Sequence, residues 1–295
     1  MLLDDKDWRL FQVLDDVRSI NSASKILYIS QPAISLRIMR LEEILGVKLI
    51  NRSPKGVQLT KQGDYFAEYS NEMLKKQDEL QEEILNLNNK VQGTLSLAVS
   101  SNYTEYILSS VLSSFLHMYP NVNLKLKTGW SYQIIEMVKN EQAHIGIFRG
   151  NYDWNEHLNI IGRTKVVVIS KRKIELKELP SYPRINYKTD PQFEHLLKNW
   201  WNQTYVTPAN FTMDVDSVTT CKSLVMDGLG YGIITEDYLY DYEKSDLFLK
   251  SIPDTSGKDI IRNTAMIYSE KSLTSSIVQA FINHLYTSSS LDNFG

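Results

Sequence analysis

From Trp8 onward the apolar residues Leu10, Phe11, Val13, Leu14 and Val17 fall on one face of a helix that ends near Arg18. A short second helix follows, capped by Ser19 or Asn21 and burying Ala23, Ile26 and Leu27, before a break at residues 28–30. The next stretch, "SQPAISLRIMRLEE" (30–43), begins a third helix: Ser30 is an N-cap, and Pro32 lies in the first turn, where its missing N–H has no intrahelical partner to lose. Ala33, Ile34, Ile38 and Leu41 form the buried stripe, leaving Gln31, Ser35, Leu36, Arg37 and Arg40 for the other faces. "LGVKLINRSPKGVQLTKQG" then reads as a short strand, a turn at 54–56 and a returning strand at 57–60. Residues 64–92 contain neither proline nor glycine, and Phe66, Met73, Leu80 and Leu87 recur every seven residues, joined by Ile84 and Val91. That spacing suits a coiled-coil helix, with a single amphipathic helix packed on its own domain as the alternative. Gly93 is expected to end it.

Beyond Gly93 the periodicity changes. Strands are predicted at 94–100, 120–129, "AHIGIF" and "KVVVIS", with helices at 106–119 and 134–140. A helix at 217–227, the strand of "GLGYGIIT", the strand "TAMIYS" and a last helix at 272–286 complete the chain. Alternating strands and helices argue for parallel α/β sheets. Gly228, Gly230 and Gly232 do not make a dinucleotide-binding loop, because they follow a helix and precede a strand, the reverse of the order that fingerprint needs. They are expected to serve a tight helix-to-strand corner.

Charge and cysteine content refine this picture. Residues 1–63 carry ten Lys/Arg against seven Asp/Glu, a net of +3, which leaves −6 for the rest of a chain whose formal total is −3. A basic head on an acidic body suits a polyanion contact confined to the N-terminal part. The acidic start "MLLDDKDWRLF" and the absence of a long apolar run lead us to expect neither a signal peptide nor a membrane partner, and a cytoplasmic location. The single cysteine, Cys221, excludes an internal disulfide and is expected to be a small core residue. The five histidines show no metal-ligand spacing, so neither a metal nor a cofactor is implied.

Two short helices, a third that turns glutamine, serine and arginine outward, and a hairpin make a coherent winged helix-turn-helix. Glutamine can pair with adenine, serine with either kind of base edge, and arginine with guanine or phosphate. The third helix alone would fit a solvated face equally well. Arg52 and Lys55 flank the hairpin turn, where phosphates would lie. The run "SINSASKILYISQPAISLRIMRLEEILGVKLINRSPKGVQLTKQG" resembles the DNA-binding domain of the LysR-type transcriptional regulators. It shares a serine-led first motif helix, a Ser-Gln-Pro-Ala-hydrophobic-Ser recognition helix, a Leu-Glu pair, a Leu-Gly, a wing arginine and a Leu-Thr-x-x-Gly close. Ser24, Ile50 and Leu36 depart from that pattern, with Leu36 apolar where relatives often carry a polar or basic side chain.

"LAVSSNYTEYILSSVLSSFLHMYPNVNLKLKTG" and "LVMDGLGYGIIT" resemble the effector-binding domain of the same family. The resemblance implies three domains: a winged helix-turn-helix at 1–63, a linker dimerisation helix at 64–92 and an effector-binding domain at 93–295. The last would be a two-lobed, periplasmic-binding-protein-like α/β body, with lobe one at 93–163 and 266–295 and lobe two at 164–265. The DNA-binding residues it implies are Ser30, Gln31, Pro32, Ser35, Leu36, Arg37, Arg40, Arg52 and Lys55. For the cleft it implies Ser100, Ser101 and Asn102, whose hydroxyls and helix N–H groups could hold an anion or only cap a helix, together with Trp130 and Ser131. It adds Phe148, Arg149, Ser217, Thr219 and Thr220; Arg149 could pair with a carboxylate or only solvate a loop. His144 replaces the family's usual aspartate, and a neutral, partly buried ring is expected, with a pH sensor as the alternative.

The implied function is sequence-specific DNA binding modulated by a small molecule. The partners are operator DNA, an effector that could be anionic, and a second copy through the linker helix, with further assembly to a tetramer. RNA polymerase joins them if the protein activates. An enzyme has no supporting nucleophile elbow or metal cluster, and the intact head disfavours a solute-binding protein.

Overall fold

A computed structural model describes residues 3–53, 56–86, 91–103, 108–239 and 247–288. The chain divides into two compact units, Met1–Asn88 and Asn89–Gly295. No described helix is long and apolar enough to cross a membrane.

The first unit starts with α1 (Asp5–Val17), whose N-cap Asp4 accepts from the Asp7 N–H while Asp7 accepts from the Asp4 N–H, both at 3.0 Å. This reciprocal cap satisfies two N–H groups that a helix start otherwise leaves open. Ser19 caps α2 (Ile20–Leu27), and Ser30 caps α3 (Gln31–Leu45) with Pro32 in its first turn. Strands β1 (Ile50–Ser53) and β2 (Gly56–Leu59) pair antiparallel as the wing, and α4 (Lys61–Asn86) follows. Leu10, Phe11 and Leu14 meet Ala23, Ile34, Ile38 and Leu41 in one core, closed from α4 by Phe66, whose ring lies edge-on to Phe11 at 4.7 Å. Gly63, in the first turn of α4, lies so close to the wing that an added Cβ would be 2.0 Å from the Leu49 carbonyl oxygen.

In the second unit the strands are β3 (Gly93–Ser100), β4 (Val122–Gly129), β5 (Ile145–Arg149), β6 (His157–Ser170), β7 (Arg184–Tyr187) and β8 (Phe211–Val215). Then come β9 (Tyr231–Thr235), β10 (Phe248–Ser251) and β11 (Ile261–Tyr268). Between them lie α5 (Ser101–Tyr103), α6 (Ser109–Met118), α7 (Ser131–Lys139), α8 (Pro191–Thr204), α9 (Val218–Met226) and α10 (Ser276–Ser288). The order is β4-β3-β5-β11-β6-β9-β7-β8, with β10 on β6. The expected parallel strands are present, within a sheet that is mixed. β4-β3-β5 and β9-β7-β8 are parallel sets, but β6 and β11 run antiparallel to their neighbours and connect the two sets.

Each set has its own core. Leu95, Leu97 and Val99 pack under Phe115 and Phe281, whose rings are 5.2 Å apart, while Ile134 and Val138 cover the other face. Around β6 and β9, Val166, Val168, Ile233, Trp200, Trp201 and Val225 form the second core. Cys221 belongs to it, and burial pushes its thiol up to about 12, consistent with a packing residue. β6 starts eight residues before "KVVVIS", because its first half pairs with β11 and has exposed positions that mask the strand pattern. Gly93 is not a helix terminator; it opens β3 with φ 111°. At the corner after α9, Gly228 has φ 79°, the backbone role expected of it, whereas an added Cβ on Gly230 would be 2.5 Å from the Pro183 carbonyl oxygen and one on Gly232 2.8 Å from Cys221 Sγ, so close packing is what these two serve. His144 Nδ1 accepts from the Ser96 N–H at 3.3 Å, which requires that nitrogen to be unprotonated.

Candidate nucleic-acid interface and ligand cleft

On α3, burial of Ile34, Ile38 and Leu41 fixes which side faces solvent. Ser30, Gln31, Pro32 and Arg40 are exposed, Leu36 is 68% exposed and Met39 58%, and Ser35 is half-buried. Gln31 donates to the Asn21 side chain at 3.1 Å, linking the start of α3 to α2. Arg37 behaves differently. Its Nε donates to Asp7 at 2.6 Å and its Nη2 pairs with Asp4, so the guanidinium sits across the cap of α1 and is only 25% exposed. Expected as a base or phosphate contact, Arg37 is instead committed to holding α3 against α1. The reason is Asp7, a 5%-exposed carboxylate that also accepts from the Asp4 N–H and that Arg37 supplies with a counter-charge. Arg52 stands in β1 opposite Val57; its side chain, like that of Asn102, and the whole of Lys55 lie outside the described residues.

Glu42 is legible in the sequence only as half of a Leu-Glu pair, yet it anchors the wing. It accepts from the Leu49 and Ile50 N–H groups at 2.9 and 3.2 Å and from Lys48 Nζ at 2.6 Å. Burial pushes its pKa up, but Lys48 and the two N–H groups outweigh burial and hold the carboxyl below its ordinary value.

In the second unit, a cavity of about 200 Å³ opens where the two parallel sets meet. It is lined by Ser100, Ser101, Trp130, Ser131, Arg149, Ser217 and Thr219, all expected from the sequence, and by Gly129, Tyr187, Lys188, Asp190, Asp216, Val218 and Arg262, which were not. Phe148 and Thr220 are not among its lining residues. Phe148 alternates with Arg149 on β5 and is fully buried beneath α7, while Thr220 receives the Ser217 cap at the exposed start of α9.

Arg149 Nη1 donates to Thr235 Oγ1 at 3.1 Å, Nη2 pairs with Asp237, and the guanidinium lies 5.3 Å over the Tyr238 ring. Asp190 caps α8, its Oδ1 accepting from the Gln192 N–H at 3.0 Å and from Tyr152 Oη at 3.2 Å. Its Oδ2 accepts from the N–H of Ser131, the first residue of α7, at 3.3 Å. Arg262 lies 3.6 Å from Oδ1 with its guanidinium 4.4 Å over the Phe193 ring.

Two family models cover nearly the whole chain: "Bacterial regulatory helix-turn-helix protein, lysR family" matches residues 6–64 and "LysR substrate binding domain" residues 88–289. The HTH-type transcriptional regulator YraN of Bacillus subtilis is 35% identical over 283 residues, 96% of this chain and 97% of the relative. The chain belongs to the LysR family of transcriptional regulators. As a LysR-type regulator it is a DNA-binding protein with an effector-binding body, not an enzyme. YkuM of the same bacterium is 29% identical, each chain covered to 94%. The full-length fold recurs in solved members at low identity. Full-length CbnR complexed with its target DNA superposes with a TM-score of 0.68 at 19% identity, covering 97% of this chain and 100% of the other. AphB, a Vibrio cholerae virulence activator, gives 0.63 at 20%, covering 97% and 99%.

Within this LysR-type regulator, the missed cleft residues share one feature. Asp190 reads as a helix cap and Arg262 as a strand residue, and neither local pattern signals that chain crossing brings them to Ser131.

Proposed function

We propose that this regulator reads operator DNA through the outward side of α3, with Gln31, Ser35, Leu36 and Arg40 toward base edges or phosphates and Arg52 and Lys55 on the backbone beside the wing. The observation that carries the reading is that the 30–40 segment turns an unburied face of polar, cationic and apolar side chains to solvent, with the Arg37 guanidinium drawn back onto Asp4 and Asp7. A small-molecule effector occupies the cavity of the second unit and biases the protein between states that differ in DNA affinity.

The protein acts as a dimer through α4. Phe66, Ala67, Ser70 and Leu74 are buried against their own unit, whereas Leu80 and Ile84, one turn apart, remain 57% and 54% exposed. The first half of α4 therefore follows the single-helix alternative and the second half keeps an open apolar stripe that suits a twin helix. Assembly to a tetramer, contact with RNA polymerase upon activation and a cytoplasmic location complete the reading. A gel shift with the intergenic DNA adjoining its own gene tests the DNA-reading side: retardation by the wild type, and strong weakening on joint Arg40→Ala and Arg52→Ala substitution, are expected. Unchanged affinity of that double variant contradicts the assignment.

A further inference from the structure

We propose that the cleft is built for a small carboxylate received on its floor by the Tyr187 hydroxyl and the Arg149 guanidinium, while the head of α7 is closed to that ligand by the chain's own Asp190. This rests on reading the cleft as the effector site.

Tyr187 ends β7 and Arg149 ends β5, so the two parallel sets deliver them to the same cavity. They are 6% and 2% exposed, and Tyr187 Oη and Arg149 Nε have no hydrogen-bond partner among the described residues. Buried polar atoms in folded proteins are nearly always paired, because leaving one unmade forfeits its hydration without return. Both atoms can donate, and a guanidinium nitrogen can do nothing else. Burial pushes the Tyr187 hydroxyl up, keeping it protonated and able to donate. An acceptor oxygen bearing negative charge would satisfy the two together. Arg149 remains aimed because its other nitrogens are held by Thr235 and Asp237.

The head of α7 would ordinarily compete for an anion, since its first N–H groups are free and the helix dipole favours negative charge. Here Asp190 already takes the Ser131 N–H, with Tyr152 and Arg262 as its other neighbours. Asp190 acts as a built-in ligand that leaves the floor donors as the place for an incoming carboxylate. The lining carries Arg149, Lys188 and Arg262 against Asp190 and Asp216, and Asp237 pairs with Arg149, so the unpaired donors rather than a net charge select the ligand. Its volume of about 200 Å³ is below the usual range for drug-sized ligands, which restricts the occupant to a smaller molecule.

Thermal shift of the full-length chain tests this, with sodium acetate, pyruvate and benzoate as probes, sodium chloride at equal ionic strength as control and acetamide as the neutral isostere. At least one carboxylate is expected to raise Tm in a saturable manner. Tyr187→Phe, which removes only the orphan hydroxyl, should keep or raise the Tm without probe and weaken the carboxylate by about tenfold or more. Asp190→Asn, which lifts the closing charge from the head of α7, should bind the carboxylate at least as tightly as the wild type. The proposal is overturned if no carboxylate acts, if Tyr187→Phe is stabilised like the wild type, or if Asp190→Asn binds the carboxylate tenfold or more weakly. Stabilisation by acetamide alone also overturns it, yet leaves the cleft an effector site. Should Tyr187→Phe not fold, a crystal structure with the stabilising carboxylate decides: oxygens within hydrogen-bond distance of Tyr187 Oη and Arg149 Nε support the proposal, and any other seat overturns it.

Discussion

The buried carboxylates of the N-terminal unit find partners close by in sequence: Glu42 binds Lys48, Leu49 and Ile50, six to eight residues on, and Asp7 reaches Arg37 at a separation of 30. In the C-terminal unit Asp190 bonds Ser131 from 59 residues away, Arg149 bonds Thr235 from 86, and Arg262 approaches the Arg149 carbonyl from 113. Both units neutralise buried charge with specific partners, as low-dielectric surroundings demand. They differ in what the charges hold. In the head they fix helices and wing to one another, and in the body they tie together two sheet sets that, among the described residues, join through β6 and β11.

Substitutions can separate these roles. Asp190→Ala should have the largest effect, about 3 kcal/mol or more, because it leaves the Arg262 guanidinium buried without its carboxylate. Chemical denaturation should show that loss, with the Asp190→Ala/Arg262→Met pair recovering part of it. If Asp190→Ala costs nothing, the crossing network is decorative. Gly63→Ala comes next, at about 2–3 kcal/mol, since its Cβ would collide with the Leu49 carbonyl and push the wing from α4. DNA retention should fall with it.

Glu42→Ala should cost about 2 kcal/mol by stranding two buried N–H groups. Its pH dependence has a defined sign. The folded pKa is lowered from 4.5, so its contribution is full above about that pH and is lost as the pH falls through the lower folded value. Glu42→Gln should remove that part of the acid sensitivity, measured as the change in denaturation midpoint between pH 6 and pH 3.5.

The same contrast explains which features are legible in the residues themselves. Ser30 and Pro32 act within a few residues of their own positions, so their types alone mark the helix start, and Gly63 marks the wing close where α4 meets Leu49. The apolar periodicity of 8–41 likewise names most of the head's core, although Ile26 and Ala33, expected in the buried face, are exposed. Arg37 is misplaced by that reasoning because a helical wheel divides buried from exposed but cannot foresee that a carboxylate 30 residues earlier will claim the flank. The cleft's floor is hidden for a stronger reason. Tyr187 looks like any strand aromatic, and only the meeting of two sheet sets brings it to the cavity that Arg149 also lines.

The division of labour on α3 is tested most directly by the salt dependence of DNA affinity, measured for the full-length wild type, Arg37→Ala and Arg40→Ala. Arg40→Ala should lower the slope of log affinity against log salt by about 0.9, one phosphate contact's worth. Arg37→Ala should leave the slope unchanged and lower folding stability instead, by about 1–2 kcal/mol. A reduced slope for Arg37→Ala with stability intact would place that arginine on the DNA and contradict the account.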